Sequence, residues 1–252
     1  MDLLEKLEEH SKRHPWELSR ADSMLGMILP ALDGNRNVIA DVGCGDLFFA
    51  DALSSRINGM IYAIDTGFAE EDLGNSSPES GKAILLNDVA RLQDASVDIL
   101  ILMDVLEHIE HPVGYLKQLC NKMSKNGAMF ITVPAYQHLF SEHDVYLKHF
   151  RRYNKKSLCA ELACAGFIVQ RIFYFYSMLY PLRLLQLIIS KTTSKSKMNM
   201  VKNASVWKHP ESSIITKLMR WFLNLDFAIN KMLNKGSFFG LSLCAVCRLP
   251  EE

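Results

Sequence analysis

Residues 37–53 read NVIADVGCGDLFFADAL: a short apolar run reaches Asp41, a Gly-Cys-Gly turn follows, and the pattern then becomes helical. In open α/β sheets a strand, a tight turn and a helix follow one another in this way, and ligands sit beyond the carboxyl ends of the strands. Glycine lets the backbone approach a ligand closely and adopt positive φ, so Gly43 and Gly45 mark a ligand-binding edge. The dinucleotide fingerprint G-x-G-x-x-G needs a third glycine at 48, but that residue is Phe48. Asp41 and Asp46 flank the turn, and two carboxylates would repel a pyrophosphate at short range. They favour a ligand that carries positive charge.

Outward from this turn, short apolar runs alternate with helical stretches. Strands are expected at 37–42, 60–65, 82–88, 97–104, 126–134, 166–175 and 240–249, with helices over 46–56, after Pro112 and over 154–165. Runs such as ILIL and AILL are apolar throughout, as in parallel strands buried on both faces. Strand–helix alternation implies a parallel sheet with helices on each side. Residues 1–35 read as a helical cap, 36–134 as the ligand-binding core, 135–153 as a substrate loop and 176–236 as a helical insertion, all within one domain. Ile214, Leu218, Phe222, Leu225, Ile229 and Met232 mark a long amphipathic helix in that insertion, and 190–206 reads as a linker.

Asp41 belongs to a series. Asp65, Asp88 and Asp104 end the second, third and fourth strands, so four consecutive strands end in Asp on one sheet edge. One such residue is explained as a helix cap; four together are not. Asp65, 24 residues after Asp41, matches the acid that accepts ribose hydroxyls in dinucleotide folds. S-adenosylmethionine suits this edge, because it joins a sulfonium and an ammonium to an adenosine whose hydroxyls need acceptors.

With VIADVGCGD (38–46), YAID (62–65), LLNDVARL (85–92), ILMDVLEHIEHP (101–112) and NGAMFITVP (126–134), the chain resembles the class I S-adenosylmethionine-dependent methyltransferases, in the group called type 11. The resemblance implies a doubly wound Rossmann-like α/β sheet of order 3-2-1-4-5-7-6 with an antiparallel last strand. It also implies that Asp41, Gly43, Cys44 and Gly45 surround the methionine part of the cofactor. Asp65 and Thr66 would serve the ribose, Asp88 and Val89 the adenine, and Met103 and Asp104 the floor under the sulfonium. HPWELSRAD (14–22) would cover the cofactor, with Arg20 toward its carboxylate. The family turn D-x-G-x-G-x-G is broken here by Leu47 in place of the last glycine. That glycine is expected to ease helix packing.

Methyl transfer to a hydroxyl needs a base, and histidine titrates near neutrality. Two clusters supply it: VLEHIEHP with Glu107, His108 and His111, and the run 134–153, which holds His138, Glu142, His143, Asp144, His149, Arg151, Arg152 and Tyr153. His143, His149 and His108 are the candidate bases. Tyr136, Glu142, Arg151, Arg152 and Tyr153 are the candidate acceptor-binding residues, the two arginines suiting a phosphate or carboxylate. No metal is expected, since His143 with His149 or Glu142 matches no zinc spacing. Cys244 and Cys247 form a CxxC inside an apparent strand, where residues three apart face opposite ways.

Lys+Arg and Asp+Glu both number 28, which gives no basic surface for nucleic acid. The Asp104-Val105-Leu106-Glu107 stretch lacks the Asn/Asp-Pro-Pro-aromatic motif of enzymes that methylate base amines. Acceptors therefore fall to small molecules, glycans or lipid-linked molecules, methylated on oxygen or carbon. The alternative reading is a non-catalytic module that binds S-adenosylmethionine or S-adenosylhomocysteine. No signal peptide opens the sequence, and six scattered cysteines suit a reducing cytoplasm. FYFYSMLYPLRLLQLIIS (173–190) is too interrupted to span a bilayer. It reads first as a buried element, with peripheral membrane docking as the sharper alternative.

Overall fold

The computed structural model describes residues 13–32, 37–77, 81–192, 209–233 and 238–250. One seven-stranded sheet runs in the order β3-β2-β1-β4-β5-β7-β6, as the resemblance implied. Its strands are β1 (Val38–Val42), β2 (Met60–Ile64), β3 (Ala83–Leu86), β4 (Val97–Met103), β5 (Met123–Pro134), β6 (Ile168–Phe175) and β7 (Ser242–Arg248). The first five pair in parallel, and β7 lies antiparallel between β5 and β6.

The continuously apolar strands are buried on both faces. In β4, Leu100 and Leu102 point into one core layer and Ile99 and Ile101 into the other. Helices α3 (Pro112–Lys122) and α5 (Lys155–Cys164) cover the first face through Leu116, Leu119, Leu158 and Leu162. Helices α1 (Pro15–Ile28) and α2 (Phe48–Ser54) cover the second through Met24, Ile28, Phe49 and Leu53. Each such side chain contributes about 1.5–3 kcal/mol by leaving water. Cys244 and Cys247 are fully buried and fall in opposite layers, so the CxxC is split by the pleat.

The insertion between β6 and β7 carries α6 (Tyr180–Thr192) and, after the short α4 (Glu142–Tyr146) and α5 earlier in the chain, the long α7 (Ile214–Met232). Arg220 and Asn224 of α7 bond Asp22 of α1, and buried Asp226 accepts from the Ser177 and Met178 amides. The buried reading of 173–190 holds only for its first part. Phe173, Phe175 and Tyr176 are buried, whereas Leu182, Leu185 and Ile188 on α6 are exposed, as are Leu218, Trp221 and Phe222 on α7. The strand half fills the core, and the helical half keeps these apolar side chains exposed among the described residues. No described helix is long and apolar enough to cross a membrane. The linker expected at 190–206 falls, beyond Thr192, outside the described residues.

Candidate active site

The glycine turn sits at the carboxyl edge of β1. The Gly43 and Cys44 amides bond the Ile64 carbonyl at 2.7 and 3.2 Å, which ties the turn to β2. Gly43 and Gly45 have φ of +71° and +57°. A Cβ on Gly43 would collide with Val105, so glycine is required there for space as well as conformation. Leu47 also lies in the left-handed region, at φ +71°. The missing family glycine is therefore a matter of backbone conformation rather than helix packing, and a leucine holds that strained geometry at the N-terminus of α2.

The four aspartates behave differently from one another. Asp65 accepts from the Gly45 and Gly67 amides, both at 2.9 Å, which leaves its carboxylate with free lone pairs toward the edge. Asp88 is exposed and caps a short helical turn through the Ala90 amide at 2.8 Å, beside buried Val89 and on the same edge as exposed Thr66. Asp104, at φ +55°, pairs with Arg20 and accepts from Thr132 Oγ1 at 3.2 Å, next to half-buried Met103. Arg20, expected near a cofactor carboxylate, is thus held at the end of β4. Asp41 is the outlier. It is 1% exposed, neither carboxylate oxygen has a hydrogen-bond partner among the described residues, and burial, with Asp65 nearby, raises its pKa to about 7.

The acceptor side is built by two segments that meet. Glu107 and His108 lie in the helical turn after β4, and His149 lies in the loop after α4. The Phe150 amide bonds the Glu107 carbonyl at 2.8 Å and clamps the segments together. The His108 and His149 rings meet edge to face, with centroids 4.5 Å apart. His149 Nδ1 lies 3.0 Å from Asp144 Oδ1, and Arg152 Nε donates to the same oxygen at 2.7 Å. Burial alone would raise the Asp144 pKa, but the hydrogen bonds from His149 and Arg152 outweigh it and hold the carboxylate well below its usual range. His143 lies on α4, with its pKa lowered by burial. Glu107 is fully buried, neither side-chain oxygen has a hydrogen-bond partner among the described residues, and burial raises its pKa to about 8.

Two acceptor-binding assignments need correction. Tyr153 is 1% exposed in the core and directs its hydroxyl at the Leu106 carbonyl, so it supports the site from behind. Arg152 is committed to Asp144. Arg151 donates to the Glu110 carbonyl at 2.8 Å, and Glu142 is exposed on α4. Tyr136 is half-buried, stacked on Tyr174 at 4.8 Å, with its hydroxyl bonded to the Phe238 carbonyl. Glu107 and Asp144 were visible in the sequence only as members of charged clusters. Their burial and partners come from contacts between distant segments.

A methyltransferase-domain family model matches residues 19–172. The chain belongs to this methyltransferase family. A curated ubiquinone biosynthesis O-methyltransferase from Neisseria meningitidis serogroup C is 24% identical over 136 residues, covering 48% of this chain and 57% of that protein. The match thus spans little more than half the length of this relative. A solved S-adenosylmethionine-dependent methyltransferase from Archaeoglobus fulgidus has TM-score 0.52 at 15% identity, over 91% of this chain and 93% of that one. A phosphoethanolamine N-methyltransferase 2 from Haemonchus contortus, in complex with S-adenosylhomocysteine, has TM-score 0.56 at 11% identity, over 91% of this chain and 52% of that one. The family and the sheet order together give this chain the class I methyltransferase fold, for which S-adenosylmethionine is the implied cofactor. The residues present fit that cofactor: a buried Asp41 carboxylate with no hydrogen-bond partner among the described residues suits a cation, and a turn free of a side chain at Gly43 suits close approach.

Proposed function

We propose that this methyltransferase moves the methyl group of S-adenosylmethionine onto a hydroxyl oxygen of a small-molecule, glycan or lipid-linked acceptor. The observation that carries the choice of oxygen is the Asp144–His149 pair beside the carboxyl end of β4. A carbon nucleophile that is already acidic would have less need of such a pair. The curated relative named as an O-methyltransferase supports the same choice.

In this reading Asp41 faces the cofactor ammonium, with Gly43, Cys44 and Gly45 packed along the methionine part. Asp65 and Thr66 take the ribose, Asp88 and Val89 the adenine edge, and Met103 and Asp104 the floor. When bound, S-adenosylmethionine supplies an electrophilic methyl carbon on a good leaving group. The chain's own work is to align the acceptor oxygen in line with that carbon and to exclude water. His149, through the nitrogen not bonded to Asp144, accepts the hydroxyl proton, and Asp144 stabilises the imidazolium. His143 and His108 flank it. Tyr136, with Arg151 and Glu142 at the rim, would border the acceptor. The exposed apolar residues of 173–190 support peripheral membrane contact, which would suit an acceptor drawn from a lipid phase.

The test uses S-adenosylmethionine with a labelled methyl group, incubated with a total lipid extract and, separately, with water-soluble metabolites. Label is expected in one pool with wild type and not with His149→Ala, which should still bind S-adenosylhomocysteine. Cofactor binding with no transfer to either pool would instead support the non-catalytic reading.

A further inference from the structure

Glu107 presents a problem that methyl transfer alone does not solve. Its side chain is 0% exposed, and neither carboxylate oxygen has a hydrogen-bond partner among the described residues. A buried carboxylate left unpaired is costly and is usually matched by a cation or a metal. Arg20 and Arg152 lie within electrostatic reach, but the first pairs with Asp104 and the second with Asp144. What does lie against Glu107 is two imidazoles. One ligand atom each from Glu107, His108 and His149 falls within 4.8 Å of the other two.

We infer that Glu107, His108 and His149 form a binding site for a divalent transition-metal ion of the zinc type. The donor set is two imidazole nitrogens and one carboxylate oxygen. Three protein ligands of this kind leave a coordination position open, the arrangement of catalytic rather than structural zinc sites. Imidazole with carboxylate suits Zn²⁺ and its neighbours better than Mg²⁺ or Ca²⁺, which want oxygen donors throughout.

The surroundings carry a second, independent feature of such sites. A metal-binding histidine usually gives its other ring nitrogen to a carboxylate, which fixes its tautomer and orientation. His149 Nδ1 is engaged by Asp144 at 3.0 Å, which leaves Nε2 for the cluster. Asp144 is itself held by Arg152 and by the amide and hydroxyl of Ser141, at 2.8 and 3.0 Å. The Phe150 amide on the Glu107 carbonyl joins the two ligand-bearing segments before any ion arrives.

Resting on the acceptor site proposed above, the ion would act as a Lewis acid. With the ion bound, His149 would be a ligand, and the ion would take over the activating role that His149 has in the ion-free site: the acceptor hydroxyl would take the open position and lose its proton to solvent. That oxygen would then be poised to take the methyl group of S-adenosylmethionine, with the sulfur–methyl bond breaking and its electron pair remaining on sulfur. The products are a methyl ether and S-adenosylhomocysteine.

Ion binding is testable without the acceptor. Chelator-stripped protein is titrated with Zn²⁺ by calorimetry. Saturable uptake of roughly one ion per chain is expected for wild type, and loss of that uptake in Glu107→Gln and in His149→Ala. Asp144→Asn should weaken it by roughly 10–100-fold. Melting curves and S-adenosylhomocysteine binding, measured on each variant, separate a lost site from a lost fold, and His108→Gln provides a further ligand variant should one fail to fold. No uptake by wild type would overturn the inference. Undiminished uptake by folded Glu107→Gln would overturn it too, since it would place the ion elsewhere, for instance on cysteines. Failure of methyl transfer would leave these isotherms unchanged, so the two readings fail separately.

Discussion

The two ends of the site each contain a buried carboxylate with no hydrogen-bond partner among the described residues, but the surroundings of Asp41 and Glu107 differ. Asp41 ends a strand beside a turn with little side-chain bulk, and the cationic ligand implied by the family suits it. Glu107 faces two histidines in ring contact with each other, one of them already held by Asp144. The same physics, a charge removed from water without compensation, thus points to a ligand cation at one end and to proton or metal chemistry at the other. A single carboxylate reveals little. Its neighbours decide what it waits for.

That contrast breaks most easily by exchanging charge for an isosteric amide. Asp41→Asn should weaken S-adenosylhomocysteine binding by 100-fold or more, because breaking a buried ion pair costs about 3–5 kcal/mol. Glu107→Gln should leave that affinity nearly unchanged and abolish most of the turnover. Calorimetry with both variants checks this, and equal losses of cofactor affinity would mean that the two carboxylates serve one ligand.

On the acceptor side, His149→Ala is expected to lower turnover by about 10²–10⁴-fold, the usual worth of a positioned base. Asp144→Asn should lower it by a smaller factor, with S-adenosylhomocysteine affinity preserved in both. Turnover assays beside binding isotherms give the comparison. If His143→Ala has the larger effect instead, the base lies on α4.

The pH dependence sharpens the cofactor side. Asp41 carries a pKa raised to about 7 by burial, against an ordinary carboxylate value of about 3.9. Because the folded value is the higher one, its contribution to stability in the ligand-free protein is complete below about pH 4. It is lost as pH rises through about 7. A cationic ligand needs the ionised form, so S-adenosylhomocysteine affinity should climb with pH up to about 7 and then level off. Asp41→Asn should remove that climb. An affinity independent of pH in wild type would separate Asp41 from the ligand cation.

The smallest expected effect belongs to Leu47. Its left-handed backbone costs about 1–2 kcal/mol for a residue with a Cβ. Leu47→Gly relieves that but gives up a half-buried side chain and stiffens the unfolded chain less. Thermal melts should show a net change within about 1 kcal/mol, with cofactor affinity intact. A tenfold loss of affinity would mean that the leucine side chain itself contacts the cofactor.

The sheet and its glycine-turn edge could be read from sequence, because their signals are local. Two glycines, an aspartate at the end of each of the first four expected strands and uninterrupted apolar runs mark the parallel strands and their ligand edge within short windows, and the strand order came with the family resemblance. The acceptor side could not be read in the same way. Glu107 and His149 stand 42 positions apart, and Asp144 is buried by contacts with Arg152 and His149 that no spacing rule anticipates. Tyr153 misled for a related reason: an aromatic beside two arginines suggests a surface, yet its ring completes the core. Residues 173–190 divided where the sheet ended, so one apolar stretch supplied both a core strand and an exposed helix.

Calorimetric titration of the wild-type protein with S-adenosylhomocysteine, beside Asp65→Ala, tests the shared foundation of both sides most directly. Saturable binding by wild type is expected, with a clear loss in the variant, whose carboxylate would take the ribose hydroxyls. No binding by well-folded wild type would contradict the assignment of the glycine-turn edge to this cofactor.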